Sequence, residues 1–94
     1  MIATKMLTTM SDFENIKKGD ILVVEWHRDS YIGDKRTRFA AYTVYANLHH
    51  EKEYSLEEIV LQKKNNVYFN YRLFCNPEEG ASNAKSVMLV YQEQ

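Results

Sequence analysis

The sequence predicts a mainly β fold, a small five-stranded SH3-like or OB-like barrel with one short N-terminal helical turn. Three observations carry that expectation. Short β-branched and aromatic runs alternate with polar stretches, as in strands joined by turns. One long polar stretch interrupts the early runs, and a tight Asn-Asn pair separates two late ones. The chain has 94 residues, so 1–94 reads as a single domain whose one modest core suits a small barrel.

The helical turn comes first. Ser11 and Glu14 stand at capping-box spacing, with Phe13 and Ile16 on one face and Gly19 placed for a left-handed stop. Ile21 to Trp26 is apolar and β-branched, which predicts a strand covered on both faces. His27 to Arg36 is a polar loop rich in turn formers. Thr37 to Leu48 is the longest β-like run. Neither of its alternating sets is clearly polar, so it is expected to cross the core or bend within a barrel.

Tyr54 to Gln62 is ambiguous. Ser55 to Glu58 could open a helix, but Ile59 and Leu61 alternate with polar or β-branched neighbours. Asn65-Asn66 reads as a two-residue hairpin turn, which favours a strand starting near Glu57 or Glu58. Val67 to Phe74 reads as the clearest strand, with Tyr68, Asn70, Arg72 and Phe74 on one side. Asn76 to Lys85 is a loop, and Ser86 to Gln92 the last strand.

Composition narrows the function. Twelve Lys and Arg against thirteen Asp and Glu give a formal charge of −1. That is neither the basic excess of a dedicated nucleic-acid binder nor the acidic excess of a nucleic-acid mimic. No apolar run reaches membrane-spanning length, and the first residues lack a signal-peptide pattern, so a cytoplasmic or host-cytoplasmic location is expected. The single cysteine, Cys75, follows an apolar strand end, where a buried, inert thiol is the ordinary outcome.

Neither catalytic nor metal-binding residues assemble from the pattern. His49-His50 lacks chelating spacing. Glu57-Glu58 and Glu78-Glu79 are adjacent pairs rather than carboxyls placed across a substrate. The expectation is therefore a non-enzymatic chain without a cofactor.

The strongest binding candidates are aromatic and basic. Arg28, Lys35, Arg36 and Arg38 against Asp29 and Asp34 give a local +2 around Tyr31. Tyr68, Asn70 and Arg72 form an aromatic–polar–basic row, and Trp26 ends an apolar strand near the long loop. Tyr, Trp and Arg are enriched at protein hot spots, which makes Trp26, Tyr31, Arg36, Arg38, Tyr68, Asn70 and Arg72 the expected contact set. A larger protein is the leading partner, in the manner of small phage- or plasmid-type inhibitors. Nucleic acid is the alternative, since the same residues can stack bases and meet phosphates. A nucleotide-holding oligomer is a third reading.

Overall fold

The computed structural model describes residues 1–27, 39–51 and 56–93. Six strands, β1 (Ile2–Met6), β2 (Ile21–Trp26), β3 (Phe39–Asn47), β4 (Glu58–Gln62), β5 (Asn66–Asn70) and β6 (Ala84–Gln92), form one sheet. Its order is β1-β6-β2-β3-β4-β5, with every pairing antiparallel. Two short helices, α1 (Met10–Glu14) and α2 (Tyr71–Cys75), accompany it. The mainly β class expected from the sequence therefore holds. The count rises from five strands to six, and no ladder joins β1 to β5 among the described residues, so the sheet is open.

One face of the sheet makes the core. Leu22, Val24, Trp26, Tyr42, Val44, Ile59, Leu61, Phe69 and Val87 are buried together beneath Phe13 and Ile16 from the α1 region and Tyr71 from α2. Phe13 stacks on Tyr71 with ring centroids 5.3 Å apart and meets Phe74 edge-on at 5.6 Å, which joins the two helices. Buried aromatics and aliphatics share this core, each large side chain contributing about 1.5–3 kcal/mol when fully buried.

β3 explains its own mixed pattern. Tyr42, Val44 and Asn47 are buried while Phe39, Ala41, Thr43 and Tyr45 are exposed. The alternation slips at a bulge between Val44 and Ala46, and this is the bend that the two-sided sequence pattern foreshadows. The slip also brings Asn47 inward. Its amide Nδ2 donates to the carbonyls of Phe13 at 2.9 Å and Ile16 at 2.8 Å, fastening the α1 region to the sheet.

Four local expectations need correction. The cap of α1 is Thr9, not Ser11: Asp12 N–H donates to Thr9 Oγ1 at 3.2 Å, and Asp12 Oδ2 accepts from Thr9 N at 3.0 Å. Gly19 does have positive φ, 93°, but it serves the Lys17–Asp20 turn that leads into β2, since α1 has already ended at Glu14. The β4–β5 hairpin pairs Gln62 with Asn66, so its connection is Lys63-Lys64-Asn65 rather than Asn65-Asn66.

The largest correction lies after β5. Val67 to Phe74 is not one strand, because Asn70 Oδ1 accepts from Leu73 N–H at 3.2 Å and starts α2. Val67 is the last β-branched residue of that run, and Tyr71 with Phe74 suits an i, i+3 helical face as well as a strand. The helix stops at Asn76, whose N–H and side-chain Nδ2 each donate to the Arg72 carbonyl at 2.9 Å, just before Pro77.

Candidate functional site

The free edge of β5 carries the candidate site. Tyr71 N–H donates to the Glu57 carbonyl at 3.2 Å and extends the β4–β5 register by one bonded pair. Bonded and non-bonded pairs alternate along an antiparallel ladder. The pairs Ile59–Phe69 and Leu61–Val67 are therefore bonded, and the backbone groups of Asn66, Tyr68 and Asn70 point away from β4. Among the described residues β5 pairs with β4 alone, so Tyr68 leaves its N–H and C=O available.

A cleft of about 120 Å³ opens beside this edge. Trp26, Phe69 and Leu73 give it apolar walls, and Asn70, Ser82 and Asn83 add polar groups. Tyr68 also lines it while remaining 62% exposed as a residue. β2 and β5 lie three places apart in the sheet, yet Trp26 and Tyr68 meet at one opening, so the sheet curves strongly. The loop before β6 is held there by His27 N–H, which donates to the Asn83 carbonyl at 2.9 Å.

The structure brings Trp26, Tyr68 and Asn70 together at this cleft. Trp26 is only 3% exposed, so it serves first as core and only secondarily as cleft wall. Arg72 does not continue the Tyr68–Asn70 row, because α2 begins between them. Its guanidinium instead makes a bidentate pair with Glu79, at 3.0 and 3.2 Å, and lies 3.6 Å from Glu57. Hydrogen bonding to the Glu79 carboxylate holds the Arg72 pKa above its ordinary value. Tyr31, Arg36 and Arg38 lie outside the described residues.

Other chemistry-bearing groups are arranged otherwise. Burial pushes the Cys75 thiol pKa up, away from the thiolate a nucleophile requires. His49 and His50 lie in a 3₁₀ turn, Leu48–His50, with their rings edge-on at 5.5 Å. Among the described residues, no three His, Cys, Asp or Glu side chains converge as a cation site. Among the described residues, no helix is long and apolar enough to cross a membrane.

Sequence reasoning misses the loop residues Ser82 and Asn83 as cleft partners, since only curvature of the sheet brings them to Tyr68. It also misses the second consequence of that architecture, a solvent-facing side of the sheet bearing Met6, Ile21, Phe39 and Tyr45. Compared with protein-family models, curated proteins and solved structures, the chain finds no significant match in any of them.

Proposed function

We propose that this chain is a non-enzymatic protein-binding module that takes an extended segment of a larger protein along the free edge of β5. The outward N–H and C=O of Tyr68 beside an apolar cleft carry this reading. Main-chain hydrogen bonds to an exposed edge supply affinity, and a neighbouring pocket for one side chain supplies selectivity. The cleft lies below the roughly 300 Å³ of small-molecule sites, so it suits a side chain better than a nucleotide. The curved sheet, stoppered by α1 and α2, then serves as the rigid frame that an SH3-like or OB-like barrel provides.

Nucleic acid is the less favoured partner. Arg72, the cation expected to meet phosphates beside Tyr68, is engaged by two carboxylates. The test is selection from a randomised peptide library, followed by affinity measurement on Tyr68→Ala and Tyr68→Pro. Proline removes the outward N–H while leaving the β4–β5 ladder its bonds. Selected peptides should lose affinity in both variants. Failure to select any peptide, with salt-dependent oligonucleotide binding instead, sinks this reading in favour of nucleic acid.

A further inference from the structure

The opposite edge of the sheet, β1, has a different character. Met1 C=O accepts from Glu93 N–H at 2.9 Å, and Leu7 N–H donates to Val87 C=O at 2.9 Å. Both pairs fall in the β1–β6 register, in which Ile2 stands opposite Gln92 and Met6 opposite Met88. The odd-numbered residues of β1 therefore bond β6, and Ile2, Thr4 and Met6 direct their N–H and C=O outward. The free edge has a definite end, because the next outward N–H, that of Thr8, donates to Asp12 Oδ2 at 2.9 Å.

Folded proteins protect such edges with prolines, bulges or charges. β1 contains no proline, and its register has no bulge. Its one charge, Lys5, stands opposite Leu89, which packs on the core, so Lys5 extends on the helix side of the sheet. There its ammonium lies 3.3 Å from Asp12. The other side carries Ile2, 70% exposed, and Met6, 51% exposed, with Thr4 between them.

We infer that β1 pairs antiparallel with β1 of a second copy of this chain, about a twofold axis through Thr4. The strand is self-complementary in that register. Thr4 faces Thr4, Ile2 faces Met6 and Ala3 faces Lys5, so apolar side chains meet and the two lysines avoid each other. The outward groups of Ile2, Thr4 and Met6 all find partners, because each of those pairs exchanges both of its backbone hydrogen bonds. The contact is isologous, so it closes at two copies. One strand per copy is a small interface, which places the association at the weak end of specific contacts. It leaves the β5 edge untouched and stands independently of the peptide-binding proposal.

Sedimentation velocity on the full chain, from about 1 μM to about 1 mM, tests this inference. The expected result is a concentration-dependent monomer–dimer equilibrium. Thr4→Lys sets two ammonium groups opposite each other at the axis and should weaken the dimer by about tenfold or more. Thr4→Pro removes only an outward N–H and should act likewise, with circular dichroism showing the sheet retained. A wild-type chain that stays monomeric throughout overturns the inference. So does a dimer that neither variant weakens, or association that continues past two copies. If Thr4→Pro disturbs the fold, Thr4→Lys decides the outcome.

Discussion

Trp26 donates its indole N–H to the hydroxyl of Tyr42 at 3.0 Å, across a buried edge-to-face contact with ring centroids 6.1 Å apart. The two aromatic residues on neighbouring strands thus satisfy each other's polar atoms inside the core. Tyr42→Phe keeps the ring contact but leaves the buried indole N–H without its partner. The expected cost is about 1–3 kcal/mol, read as a lower denaturation midpoint with an unchanged slope.

Asn47 carries a second polar commitment in the core. It is 4% exposed, and its amide holds the Phe13 and Ile16 carbonyls. Asn47→Ala leaves the Ile16 carbonyl without its partner, at about 1–3 kcal/mol for a buried group, while the Phe13 carbonyl keeps the Ile16 N–H at 3.1 Å. Denaturant unfolding should show a loss of about 1–3 kcal/mol, and amide exchange near Phe13 and Ile16 should accelerate.

Tyr71 behaves in the opposite way. It is fully buried, and its hydroxyl has no hydrogen-bond partner among the described residues. Tyr71→Phe should therefore be neutral or mildly stabilising at pH 7, because a buried polar atom without a bond carries a desolvation cost. Burial, followed by the charges of Glu14 and Glu57, pushes the phenol pKa from 10.0 to about 12. The protonated form is favoured on folding, so this contribution is full below 10.0 and fades as pH rises to about 12. The wild type should lose stability across that interval, and Tyr71→Phe should lose less.

At the acid end, Asp12 is the group to follow. Backbone N–H bonds from Thr8 and Thr9 hold its carboxyl pKa well below the usual carboxylate range, with Lys5 adding to the effect. A depressed folded pKa stabilises above the unfolded value of about 4 and loses that contribution as pH falls below it. Asp12→Asn should therefore flatten the acid limb of the stability profile. Its effect at neutral pH should be about 1 kcal/mol, the scale of a lost helix cap.

The fold class and most strand positions were legible because β2, β3, β4 and β5 each carry a β-branched or aromatic run with a buried face. β1 was not. Ile2-Ala3-Thr4-Lys5-Met6 exposes every residue but Ala3, which is half-buried, so no core-facing alternation marks it. The start of α2 is not legible, because Tyr71 and Phe74 satisfy a helix while Tyr71 and Leu73 satisfy a strand. The side chain of Asn70 decides between them. Trp26, Tyr68 and Asn70 were identifiable as residues, but their meeting depends on sheet curvature, which a one-dimensional pattern does not contain. Arg72 looked available because Glu79 lies seven residues away, across a turn that only the helix creates.

The most direct test of the peptide-binding reading is amide and indole chemical-shift mapping with a library-selected peptide. The account predicts shifts at Tyr68, Asn70 and Asn83 and at the Trp26 indole N–H, with the Tyr68 amide gaining protection from exchange. Shifts confined to other surfaces, with the Tyr68 amide still exchanging freely, would contradict it.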